Sequence, residues 1–124
     1  MKDLATAWVG HGRYGGTAYR LDLSVDGGGL LASVDTYSEP QFYRVTKWSV
    51  AGRLLTIDAV SEAHPEESLH ISGKAWLDSL DLQVKAKWRL GSDKWDVRFF
   101  PEAVTLKNYE ALKGGMLKYA QARP

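Results

Sequence analysis

Apolar and polar residues alternate without a break over 79–90. Leu80, Leu82, Val84, Ala86, Trp88 and Leu90 share one parity; Ser79, Asp81, Gln83, Lys85, Lys87 and Arg89 share the other. Side chains of a strand point alternately to opposite faces, so this segment presents one apolar and one charged face. A helical spacing would scatter the same charges all round the element. Such a strand belongs in an antiparallel sheet with one side covered.

The same period recurs along the chain. Strands are predicted at 5–11, 17–25, 30–37, 41–50, 54–60, 68–76, 79–90 and 94–100. Within 17–25, Tyr19, Leu21, Leu23 and Val25 oppose Ala18, Arg20, Asp22 and Ser24. In 41–50, simple alternation puts Phe42, Arg44, Thr46 and Trp48 on one face and Tyr43, Val45 and Lys47 on the other. Turn signals separate the segments: glycines 10, 12, 15 and 16, Asp26-Gly27-Gly28-Gly29, Ser38-Glu39-Pro40, Ala51-Gly52-Arg53, Leu77-Asp78 and Gly91-Ser92-Asp93. The proline-broken stretch 61–67 reads as an exposed loop. After Pro101 the period changes. Leu106, Tyr109, Leu112, Met116 and Tyr119 recur every three or four residues, which predicts an amphipathic helix over 103–124. Thr105 is its candidate cap, and Gly114-Gly115 breaks or kinks it.

Eight consecutive strands with short connections favour sequential antiparallel pairing. A flat sheet of that size leaves two exposed edges, and closing it removes them. The expected fold is therefore all-β: an eight-stranded antiparallel up-and-down barrel over 1–102 with a C-terminal helix, in a single domain. A two-sheet sandwich is the alternative. The interior of such a barrel is either filled by side chains or holds one small ligand.

Composition sharpens this in three ways. Five Trp, six Tyr and three Phe in 124 residues make the strands unusually aromatic. The absence of cysteine excludes disulfides, thiolate metal sites and cysteine nucleophiles. No apolar run reaches the roughly 20 residues of a membrane-spanning helix. The N-terminus lacks a signal peptide's apolar core, so a cytoplasmic location and no membrane association are expected. The net charge is +1. Its basic part falls after Lys74, with Lys85, Lys87 and Arg89 on the polar face of 79–90. Asp81 and Asp93 interrupt that patch, which reads as a solvated strand face rather than a nucleic-acid site.

Several stretches resemble a known class. Trp8-Val9-Gly10, the strand ending in Asp26-Gly27-Gly28-Gly29, the run from Tyr43 to Ile57 and Leu69-His70-Ile71-Ser72-Gly73 look like the small bacterial barrels of the calycin type. That class includes lipocalins, fatty-acid-binding proteins and avidins. The resemblance covers roughly residues 4–100, and a similar barrel precedes the hydrolase domain of some bacterial serine hydrolases. The chain has no Gly-x-Ser-x-Gly elbow, so hydrolysis is not carried over. Trp8-Val9-Gly10-His11-Gly12 is also similar to the opening of nitrobindin-like haem barrels. Those hold iron through a histidine near the chain's end; here the last histidine is His70, so no haem is expected.

His11, His64 and His70 have no metal-ligand spacing, and neither metal nor cofactor is expected. No activating turn or oxyanion motif accompanies the serines and aspartates. The glycine run at 27–29 lacks the strand–loop–helix context of a phosphate loop. The aromatic set is the strongest feature. Tyr19, Phe42, Trp48, Trp88, Trp95 and Phe99 are expected to point inward, either filling the barrel or lining a pocket. The candidate ligand-binding residues are Trp8, Tyr19, Phe42, Arg44, Trp48, His70, Trp88, Trp95 and Arg98. Arg44 and Arg98, with Arg20, could anchor a carboxylate or phosphate. The leading expectation is a barrel that binds a small hydrophobic or aromatic molecule. A cofactor-free cyclase or isomerase that folds its substrate inside the barrel is the second, since positioning alone lowers barriers. A homodimerisation or protein-interaction module, using the helical stripe, is the third.

Overall fold

The computed structural model describes residues 4–12, 17–35 and 41–101. It contains eight strands: β1 (Ala7–Gly12), β2 (Thr17–Leu23), β3 (Gly29–Asp35), β4 (Gln41–Ala51), β5 (Leu54–Ser61), β6 (Ser68–Ala75), β7 (Leu80–Trp88) and β8 (Gly91–Pro101). Each pairs antiparallel with its neighbour in sequence, and β8 returns to β1 through Val9–Phe100 and Gly10–Phe99, closing the barrel. The expected C-terminal helix over 103–124, with Thr105 and Gly114-Gly115, lies outside the described residues.

Alternation decides what fills the barrel. Leu80, Leu82, Val84 and Ala86 of β7 are buried, and Lys85 and Lys87 between them are exposed, as their parity dictates. Cross-strand partners carry the pattern round: Val84 faces Ile71 on β6, which faces Ile57 on β5, which faces Trp48 on β4. Trp8, Leu21, Leu55, Ile57 and Leu80 are 0% exposed, so no water-sized space touches them. The middle of the barrel is therefore packed rather than hollow.

Three sequence expectations fail locally. In β4 the register slips between Val45 and Lys47, so Thr46 is an extra residue on its strand. Tyr43 and Val45 precede this bulge and Trp48 and Val50 follow it, yet all four pack on the inner cluster. Phe42 consequently faces outward, buried with Val9 and Ala32 in a separate small cluster on the outer face. At the end of β7, Arg89 and Leu90 form the turn, Leu90 is 92% exposed, and Gly91, Ser92 and Asp93 belong to β8. Gly91, at φ 119°, takes the left-handed conformation that completes the reversal. Val25 likewise leaves the apolar face: it sits in the β2–β3 turn and is 86% exposed.

Candidate functional site at the loop end of the barrel

The two ends of the barrel differ. At the end where β2 turns into β3, β4 into β5 and β6 into β7, Leu4 lies 4% exposed in the core. The Trp8 indole N–H donates to the Leu4 carbonyl at 3.2 Å, and the Trp48 indole N–H donates to the Ser24 carbonyl at 2.8 Å. Trp8, Leu55 and Leu80 fill the space beneath. These residues plug that end, and both indoles have their polar atoms satisfied.

The opposite end, where β5 leads to β6 and β7 to β8, is built differently. Trp88 and Trp95 lie on the inner face, packed on the core yet only partly buried. Their rings stack, with centroids 6.2 Å apart and planes 12° from parallel. Around them the inner face carries Tyr19 and Tyr43, and small residues: Ala59, Ser61, Ala86 and, opposite Tyr19 in the register, Ser33. Tyr19 meets Phe99 edge-on at 6.2 Å. Gly10 is the register partner of both. A Cβ there would stand 2.5 Å from the Arg98 carbonyl oxygen and 3.0 Å from a Phe99 ring carbon. The absence of a side chain thus makes room for the ring pair.

The Tyr43 hydroxyl donates to the Gln41 Oε1 at 3.1 Å. Burial, and then the nearby Glu67 carboxylate, push its pKa above the ordinary phenol value, so it stays neutral. The Ser61 hydroxyl oxygen accepts the His64 backbone N–H, holding the β5–β6 loop. Among the described residues, the Trp95 indole N–H is the one buried side-chain donor with no hydrogen-bond partner.

The expected site residues do not converge. Trp88 and Trp95 come together at the end where β7 leads to β8, Tyr19 lies on the inner face against Phe99, Trp8 lies in the core, and Trp48 belongs to the plugged end. Phe42 faces outward. Arg44 is exposed on the outer face of β4. His70 and Arg98 also face outward, each lining a shallow outer groove, of about 340 and 650 Å³ respectively. His70 Nδ1 lies 2.7 Å from an Asp58 carboxylate oxygen, with Lys47 3.9 Å from the other. Arg98 donates to Asp81 at 2.6 Å, and the Trp76 indole N–H donates to the second Asp81 oxygen at 2.9 Å. Arg53 lies over the Trp76 ring at 4.8 Å. These exposed pairs are surface contacts worth about 0–1 kcal/mol each. Arg20 is held beside Asp22 at 3.2 Å on the same outer side. The expected arginine anchor for an anion is therefore not on the inner face.

Sequence reading missed Tyr43 and Ser61. Tyr43 was hidden by the bulge, which plain alternation in 41–50 does not reveal; the extra Thr46, whose hydroxyl donates to the Asp58 carbonyl at 3.2 Å, is its mark. Ser61 was assigned to the exposed loop 61–67, whereas β5 runs on to it and buries it. Among the described residues, no cluster of three or more His, Asp or Glu side chains could hold a metal ion. No protein-family model, curated protein or solved structure matches the chain.

Proposed function

We propose that this protein binds a small planar hydrophobic molecule at the loop end of its barrel. The observation that carries the reading is the stacked, partly exposed Trp88–Trp95 pair at one end of a barrel whose middle is packed; at the other end the partly buried Trp48 has its N–H tied to Ser24. Large apolar rings left half-wet are costly unless something covers them. Flat indole faces beside small residues suit a flat ligand. Antiparallel up-and-down closure is consistent with a calycin-type barrel, whose members carry ligands at one open end, and this supports the same placement.

The mechanism is enclosure. A two-ring ligand that removes roughly 200 Å² of apolar surface from water gains about 5 kcal/mol, which corresponds to sub-millimolar binding before any polar contact. Ligand stacking on the indoles should quench or shift tryptophan emission. Titration with planar aromatic compounds should therefore give a saturable change in the wild type that Trp88→Ala loses. A fluorescence signal indifferent to all such compounds, or unchanged binding by the Trp88→Ala variant, contradicts the reading.

A further inference from the structure

The outer wall of β4–β8 carries its charges in rows. Lys47 is the register partner of Asp58, Asp58 of His70, His70 of Lys85, and Lys85 of Lys94. Arg44, Val60, Ser68 and Lys87 form the next outward row. The four lysines, His70 and Arg44 are exposed, and Asp58, Val60 and Ser68 are half-buried among them. The groove of about 340 Å³ lies between these rows, with Thr46, Asp58, Ser68, His70, Lys85 and Lys87 around it.

The charges of this wall do not cancel. Like charges directly opposite each other destabilise a sheet, and the Cβ atoms of Lys85 and Lys94 stand about 5 Å apart. Lys87 adds a third ammonium, rooted about 7 Å from Lys85 along the same strand. Asp58 is already held by His70 and Lys47. Asp96 stands opposite Gln83, and Asp93 takes an inner-face register position while its Oδ1 accepts the Lys94 backbone N–H. Glu66 lies 4.0 Å from His64 in the β5–β6 loop, and Glu67 acts on the inward Tyr43 phenol. Among the described residues no carboxylate pairs with Lys85, Lys87 or Lys94. An anion seated between them turns their repulsion into attraction.

The donors select the kind of anion. Ammonium groups on flexible stems act as point charges and suit a tetrahedral phosphate, whereas a carboxylate is better matched by the planar fork of arginine. A phosphomonoester brings a charge of about −1.5 to −2 at neutral pH, more than a carboxylate or a phosphodiester. The Ser68 hydroxyl, opposite Lys87, supplies a neutral hydrogen-bond donor. Among the described residues no Trp, Tyr or Phe lines the groove, so nucleic-acid bases would have nothing to stack on. We infer that this groove binds a phosphomonoester, held chiefly by Lys85 and Lys87 with the Ser68 hydroxyl beside them. The site is on the outer wall and stands independently of the indole pair.

Glycerol 3-phosphate, titrated into ¹⁵N-labelled protein at fixed ionic strength, tests this, with dimethyl phosphate and acetate as singly charged controls. Saturable amide shifts should gather at Ser68, His70, Lys85 and Lys87, and glycerol 3-phosphate should bind about tenfold more tightly than either control. The double variant Lys85→Gln/Lys87→Gln should lose about tenfold in affinity. Asp58→Asn, which removes the groove's own negative charge, should gain about threefold. Lys74→Gln, in the other outer groove, should change nothing. Vesicles containing phosphatidic acid separate the sources: binding that glycerol 3-phosphate displaces identifies a lipid headgroup as one source, and no binding confines the site to soluble phosphates. Equal affinity for the three anions, shifts scattered over lysines elsewhere, or undiminished binding by the double variant overturns the inference. So does the absence of any saturable shift in wild type, a readout that does not depend on how the variants fold.

Discussion

Trp8 and Trp88 are the same residue type on the same inner face, and their surroundings give them different jobs. Trp8 is fully enclosed with its N–H bonded to Leu4. Trp8→Ala should cost about 3–5 kcal/mol in denaturant unfolding. Trp88 stacks on Trp95 and is partly exposed, so fewer contacts are lost. Trp88→Ala should cost clearly less than Trp8→Ala, while exposed Lys87→Ala should cost under about 0.5 kcal/mol. A Lys87→Ala cost above that of Trp88→Ala would invert the faces of β7. Phe42 provides the converse case. It is 7% exposed on the outer face, so Phe42→Ala should lower the denaturation midpoint and leave ligand affinity unchanged. Tyr43 adds a pH dependence. Its phenol pKa is raised in the folded state, so the folded protein holds its proton longer than the unfolded chain. Its contribution is complete below pH about 10 and is lost as pH rises through the higher folded value. Tyr43→Phe should flatten the alkaline decline in stability; an unchanged slope would remove the burial argument.

The strands were readable from the sequence where one face is uniformly wet and the other uniformly dry. β7 shows why: Leu80, Leu82, Val84, Ala86 and Trp88 share one parity, and no slip of register can hide them. Its end was harder to place, because Leu90 continues the apolar parity although Gly91 reverses the chain just after it. In β4 the pattern itself misleads. Thr46 and Lys47 both face solvent, a two-residue polar step that alternation reads as a change of face. This has a consequence for deletions. Without Thr46, Val45, Lys47 and Trp48 alternate normally, and Trp48 and Val50 keep their inner positions. Deletion of Thr46 should therefore leave a folded barrel destabilised by about 1–3 kcal/mol. Deletion of Gln83 from the middle of β7 turns Val84 and Ala86 outward and should prevent folding. Circular dichroism melts of the two variants separate these outcomes, and equal melting would contradict the bulge assignment.

Closure of the barrel followed from edge avoidance, but the asymmetry of its ends did not. Nothing in the spacing of Trp48 and Trp88, both partly buried, says that one indole is tied to Ser24 while the other stacks on Trp95 at the opposite end. That difference arises from tertiary packing, above all from Trp48 reaching the Ser24 carbonyl, which belongs to a distant turn of the chain. The candidate site was legible as aromatic density, and its polar half was not, since His70, Arg44 and Arg98 lie on strands whose parity sends them outward. The five tryptophans now mark separate regions: Trp8 the core, Trp48 the plugged end, Trp76 an outer groove, and Trp88 and Trp95 the end where β7 leads to β8. A ¹H–¹⁵N spectrum of the five indole N–H groups, recorded during titration with 2-acetylnaphthalene, tests the central claim in one measurement. The account predicts saturable shifts of the Trp88 and Trp95 resonances with those of Trp8, Trp48 and Trp76 nearly still. Shifts confined to Trp76 or Trp48, or none at any of the five, would contradict it.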